Sequence, residues 1–261
     1  MKILTAAFLL AIPWLAFGQG AAIQQTSGQQ TSQQTSNEEQ VRQVIAYTQA
    51  YRQHLPSLEC DETMVSQRVR NGKVRRQVKI KATLRELRDE KEPGGFRDEY
   101  TFNSIDGKKA KANFDTSTLP YFVYNAFANG IGIGESLLPA CLSYRFATLD
   151  NGRTRQFNID SRQNFRDASC SKIPDDYHKM MLIDAGSGVV RRVERRMSAD
   201  FADSNLEIPY IAIDFAPQKL GEETFWLPTR FDAVDLHQQG EMIATYSNCH
   251  RYTVVSKMVI P

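Results

Sequence analysis

Residues 74–85 read Val-Arg-Arg-Gln-Val-Lys-Ile-Lys-Ala-Thr-Leu-Arg. Val74, Val78, Ile80, Ala82 and Leu84 line up against Arg75, Gln77, Lys79, Lys81, Thr83 and Arg85. A period of two with one apolar side is the mark of a half-buried strand, here with a basic outer face. The same period begins at Leu58, and it returns after each turn signal downstream. Glu92-Pro93-Gly94-Gly95 is a turn, and Tyr100 and Phe102 begin a strand that ends at Asp106-Gly107. Ser143–Leu149 and Arg153–Asp160 flank Asp150-Asn151-Gly152, a strong hairpin signal. Lys179–Asp184 and Val189–Met197 flank Ala185-Gly186-Ser187-Gly188. Ile208–Ala216, Thr224–Leu236 and Glu241–Val255 form a third set, turning at Leu220-Gly221-Glu222-Glu223 and at Gln239-Gly240. Consecutive strands joined by tight turns predict an antiparallel meander, so the fold class is mainly β (α+β).

One helix precedes the strands. Asn37 or Ser36 can cap it, Glu38 and Glu39 suit its first turn, and Pro56 stops it. Val41, Val44, Ile45, Thr48, Tyr51 and Leu55 make one stripe at helical spacing, which predicts that the helix packs on the sheet.

Upstream, residues 1–18 read as a signal peptide: Lys2, then an apolar run from Ile3 to Phe17, then small residues at Ala16 and Gly18 before Gln19. That run is about 15 residues, short of the ~20 of a membrane-spanning helix. Residues 19–37 hold three copies of Gln-Gln-Thr-Ser and predict a disordered leader. The remainder, 38–261, is expected to be one β-rich domain in the periplasm or outside the cell, with no transmembrane span after cleavage.

With 261 residues, 41% of them hydrophobic, the chain can bury a sizeable core. Its net charge of +2 gives no long-range reason to expect a nucleic-acid partner. Export makes Cys60, Cys141, Cys170 and Cys249 read as two disulfides. Of three possible connectivities, Cys141–Cys170 is favoured because a short hairpin lies between them, leaving Cys60–Cys249. No cysteine or histidine spacing fits a metal, and no cofactor is expected.

One segment breaks the alternation. Thr116 to Gly134 carries no charge, and Tyr121, Phe122, Tyr124, Phe127, Ile131 and Ile133 make it apolar. Pro120 could open a short helix there, ended by Gly130, Gly132 and Gly134. Such a segment is either a plug over the apolar side of the sheet or a lid that answers a ligand. Those six residues are the candidate ligand-binding set.

Signals of catalysis are poor. Gly186-Ser187-Gly188 lacks the spacing of a nucleophile elbow, and Gly130-Ile131-Gly132-Ile133-Gly134-Glu135 puts Glu135 where a dinucleotide fingerprint needs its third glycine. Arg191, Arg192, Arg195 and Arg196 with Glu194 form the densest charge cluster, read as a solvated strand face or an anion-binding strip.

The run Leu55-Pro56-Ser57-Leu58-Glu59-Cys60-Asp61-Glu62-Thr63 resembles the Leu-Pro-x-x-x-Cys-x-x-Thr opening of a group of exported acidobacterial proteins. Met181–Arg191 resembles their Ile-Asp-x-x-x-Gly-x-Val-x-Arg hairpin, and Asp214–Gly221 with Phe225–Arg230 continues the pattern. These last elements are also similar to the outer-membrane lipoprotein carriers and sorting-like proteins. That resemblance implies a half-barrel antiparallel sheet wrapped around helices, and with it lipid or lipoprotein handling; it carries over no catalytic residues. The expected function is therefore a non-catalytic binding protein sheltering a lipid, an acyl chain or a lipoprotein anchor on an apolar face. The alternative is an envelope protein whose sheet faces another protein. A hydrolase has only His178 with Asp175 or Asp176 to offer.

Overall fold

The computed structural model describes residues 27–92, 95–131, 141–162, 177–196 and 210–253. The expected signal peptide, residues 1–18, falls outside them. Two units divide the chain, residues 1–36 and 37–261. In the first, residues 27–36 are helical. The second holds the sheet and its core.

Helix α1 runs Ser27–His54, so helical backbone reaches ten residues into the Gln-rich tract ahead of the expected start at Asn37. Gln is a good helix former, and extending an existing helix costs far less than nucleating one. The predicted stripe is the face that packs: Val41, Val44 and Thr48 are buried. Arg88 closes the C-terminal end, its Nη2 donating to the carbonyls of Arg52, Gln53 and Leu55 at 2.9, 3.0 and 2.6 Å. Those carbonyls have no partner within the helix.

Among the described residues eleven strands follow: β1 Leu58–Arg70, β2 Lys73–Arg88, β3 Phe96–Ile105, β4 Lys108–Lys109, β5 Leu142–Leu149, β6 Thr154–Ser161, β7 His178–Asp184, β8 Val190–Arg196, β9 Tyr210–Leu220, β10 Glu223–Asp235 and β11 Gly240–Arg251. They form a single antiparallel sheet in the order β4-β3-β2-β1-β11-β10-β9-β8-β7-β6-β5, open at β4 and β5. The chain meanders outward to one edge at β4, resumes at the other with β5, and meanders back until β11 lies beside β1. The Asn71-Gly72 turn between β1 and β2 has φ of +51° and +68°, the pair of positive values that suits the twist of a two-residue hairpin.

Cys60 in β1 and Cys249 in β11 are bonded, 189 residues apart in sequence. A bulge makes this possible. Ser247 and Asn248 are both exposed, with Asn248 at φ +53° and its Nδ2 donating to Asp61 Oδ2 at 2.8 Å. The extra residue shifts the alternation by one, which turns Cys249 inward to meet Cys60. Cys141 is buried at the start of β5, and Cys170 lies outside the described residues.

The inner face carries the apolar residues in two groups. One spans β1–β3 and β9–β11, with Met64, Ile80, Leu84, Phe96 and Phe231 among its members. The other spans β5–β8, with Phe157, Ile159, Met181 and Val193, and receives Val41 and Val44 of α1.

Candidate ligand site

The segment after β4, the crossing segment, is described as far as Ile131 and lies on the first of these groups. It contains a 3-10 turn at Thr116–Thr118 and a short helix, α2, at Ala126–Ile131. Pro120 therefore does not open the helix; it sits in the irregular stretch between the two, and Gly130 lies within α2. Tyr121 and Phe127 are buried, whereas Phe122 is half-buried against Tyr100 and Phe102 at ring separations of 5.5 and 6.2 Å. Tyr124 is 63% exposed. The side chain of Ile131 and the whole of Ile133 lie outside the described residues. The segment thus packs as a plug.

Polar latches hold the plug at both ends. Ser66 Oγ donates to Tyr121 O at 2.6 Å and accepts from Tyr121 N–H at 2.9 Å. Further on, Asp98 of β3 accepts from the N–H groups of Phe127 and Ala128 at 3.2 and 3.3 Å, and from the Tyr100 hydroxyl at 2.7 Å. Gly240 shows how close the fit is. A Cβ there would stand 2.5 Å from the Tyr121 ring, so only glycine admits this approach.

Beneath the plug are two acids that the hydrophobic pattern does not account for. Glu62 and Glu86 are 1% and 0% exposed, and among the described residues none of their carboxyl oxygens has a partner in good hydrogen-bond geometry. Glu86 lies opposite Asp98 in the sheet, and Glu62 lies opposite Tyr246. Burial, and then the Asp98 charge, push the Glu62 carboxyl well above the usual range. Burial and the Asp98 carboxyl do the same to Glu86. Tyr246 is raised by burial and by Glu62. A carboxyl in such a place favours its neutral form, because desolvation penalises the charged one. Both acids keep the inward parity of their strands, in phase with Cys60 and Met64 and with Ala82 and Leu84. An in-phase Glu was the signal available in the sequence.

The second group is covered by α1. Between helix and sheet lies a cavity of about 230 Å³, lined by Gln43, Val44, Tyr47, Phe146, Arg155 and Ile183 among others. Arg155 and Asp184 also line an open cleft of about 770 Å³ at the β5–β6 and β7–β8 turns, together with Arg153 and Arg191. Arg155 has the inward parity of Phe157 and Ile159 but stands exposed, at the junction of chamber and cleft. Arg191 pairs with Asp184 and lies over the Trp226 ring. Toward the other end of this lane Lys179 is buried, its amine pushed down to about 7 by burial and by Arg195. The lane is apolar in the middle, with Arg153, Arg155 and Arg191 beside Asp150 and Asp184 at one end and Lys179 toward the other.

Of the hydrolase candidates only His178 is described, and it is engaged by a different acid. His178 Nδ1 meets Asp160 Oδ1 at 2.6 Å on the outer face, and Arg145 Nη2 holds the other oxygen at 2.8 Å. Burial raises the Asp160 carboxyl, but the bonds from His178 and Arg145 outweigh it and hold it below its ordinary value. Ser143 stands on the far side of Asp160 from His178, so the acid, not the imidazole, is in the middle. A nucleophile relay needs the reverse order. Asp175 and Asp176 lie outside the described residues. The arginine cluster of β8 is an ion-pair ladder: Arg192 holds Glu194 and Asp214, and Arg196 holds Glu194. Among the described residues no group of three His, Cys, Asp or Glu side chains could hold a metal, and no helix is long and apolar enough to cross a membrane.

No family model and no curated protein matches this chain. Among solved structures, a DUF1329 family protein from Desulfovibrio piger is similar at 10% identity and a TM-score of 0.43, over 84% of this chain and 95% of that one. A domain from Vibrio parahaemolyticus named for outer-membrane lipoprotein sorting is similar at 9% identity and a TM-score of 0.45, over 85% and 95%. A LolA superfamily protein from Nitrosomonas europaea is similar at 8% identity and a TM-score of 0.35, over 84% and 94%. At these scores the likenesses bear on neither ligand nor chemistry, nor on the acidobacterial likeness of the short runs.

Proposed function

We propose that the chain is an exported, non-catalytic binding protein that shelters an apolar chain, of a lipid or a lipoprotein anchor, on the inner face of its sheet. One observation carries this reading. Among the described residues the apolar face is covered by two separate elements, the plug and α1, and under α1 there remains a chamber with Val44, Tyr47, Phe146 and Ile183 on its apolar side and Gln40, Gln43, Arg155 and Asp184 on its polar side. Ligand cavities commonly occupy about 300–1,000 Å³, so the chamber of about 230 Å³ would hold part of a chain, and α1 or the plug would lift to admit the rest. Burying a long acyl chain contributes ~0.8 kcal/mol per CH₂, enough to offset the lost cover. The Cys60–Cys249 bridge supports an oxidising compartment.

The test is uptake of fluorescent acyl probes by the exported protein. Saturable binding is expected. Val44→Trp, which fills the chamber, should abolish it, and Arg155→Ala should weaken a fatty-acid probe while leaving its alcohol analogue unchanged. Equal binding by wild type and Val44→Trp would place the ligand elsewhere; no uptake by either would overturn the reading and favour the protein-facing alternative.

A further inference from the structure

The β1–β2 hairpin leaves the core before it turns: every residue from Arg70 to Gln77 is exposed, on both faces of the ribbon. Residues 63–81 and 108–111 hold ten Lys and Arg and no Asp or Glu. The whole chain is only +2, so all its other residues together sum to −8. The charge is therefore concentrated at one end of the sheet, a separation that near-neutral totals conceal.

Two of the ten turn inward. Arg68 and Arg76 donate to the plug carbonyls of Pro120 and Thr118, at 3.5 and 2.8 Å. Arg70, Lys73, Arg75, Lys79 and Lys81 are exposed and in no ion pair among the described residues. The nearby acids are already engaged or withdrawn: Asp106 accepts from the Lys79 N–H at 2.8 Å, Asp235 is buried and accepts from Gln238 N–H, and Glu241 is half-buried.

Apolar residues stand out at this same end. Val74 is 52% exposed between Lys73 and Arg75, and Leu236 is 66% exposed in the β10–β11 turn. The two tips are joined, since Val69 N–H donates to Gln239 O at 2.7 Å and Val69 pairs with Val74. Exposed aliphatic tips set among long basic side chains fit a bilayer surface: the charges meet anionic headgroups and the tips reach the acyl boundary. An acidic polypeptide would use the charge but give the tips nothing to enter.

We propose that this end of the sheet, with the 70–77 ribbon and the Leu236 turn, docks on an anionic lipid bilayer. The proposal is independent of what the inner face holds.

Partition of the exported protein onto vesicles tests it. Binding is expected to vesicles of phosphatidylglycerol with phosphatidylethanolamine, to fall steeply with added salt, and to be weak on pure phosphatidylcholine. A basic residue near such a surface contributes about five-fold, so Lys73→Gln with Arg75→Gln should weaken partition roughly 25-fold. The charge-conserving pair Lys73→Arg with Arg75→Lys should bind as wild type. Val74→Ser with Leu236→Ser should weaken binding without changing its salt dependence. Equal binding to phosphatidylcholine, no partition at all, indifference to the Gln pair, or capture by poly-glutamate beads without binding to vesicles would each overturn it.

Discussion

Glu62 and Glu86 are held where a carboxylate is poorly solvated, and the pH dependence of stability follows from that. Their carboxyls are raised in the fold, so they keep protons that the unfolded chain releases. Below the unfolded value near 4.5 both states are protonated and the full stability is present. As pH rises above it the unfolded state loses protons first, and stability falls until the folded groups also titrate. Each group can contribute up to about 1.4 kcal/mol per pH unit. The double variant Glu62→Gln with Glu86→Gln is expected to match wild type near pH 4 and to melt progressively higher than wild type from pH 5 to pH 7. Thermal melts across that range check it; an advantage that does not change with pH would contradict it. The site was half legible. Tyr121, Phe122 and Phe127 announce themselves as a charge-free run, but an acid inside an apolar alternation shows only if its parity is followed through Leu84 into Glu86. Arg155 was invisible for another reason: its inward parity matters only because α1 lies over it.

At the scale of elements, most strands could be read because a period of two and a turn signal are local properties. The bulge at Asn248 could not, since it depends on which residue of β1 lies across from it. Nor could the reach of α1 into the Gln-rich tract, where a weak local preference is decided by the helix it continues. The plug was recognisable by composition, while its latches, Ser66 on Tyr121 and Asp98 on α2, join residues 55 and about 30 apart. Gly240 makes the plug testable. Gly240→Ala puts a methyl into the Tyr121 ring, which must shift, at a cost of about 1–3 kcal/mol. Hydrogen exchange at residues 119–128 should accelerate in this variant while the β5–β8 amides stay protected. Unchanged protection of the plug would mean that Tyr121 does not anchor it.

For the molecule as a whole, the topology explains why one face needs a cover. Two meanders meet at β1 and β11, tied by Cys60–Cys249, and the sheet stays open at both edges. Closing a loop of that length removes much unfolded-state freedom, which contributes about 5 kcal/mol on loop-closure entropy. An open sheet with one apolar face must bury it against something. Among the described residues that is one helix and one crossing segment rather than a second sheet, and covers of this kind can part without breaking the sheet's own hydrogen bonds. Native mass spectrometry of residues 19–261, purified from an oxidising compartment without detergent, is the decisive test. An adduct of lipid mass, lost on mild activation, is expected; the bare polypeptide mass under the same gentle conditions would mean that the inner face shelters no lipid.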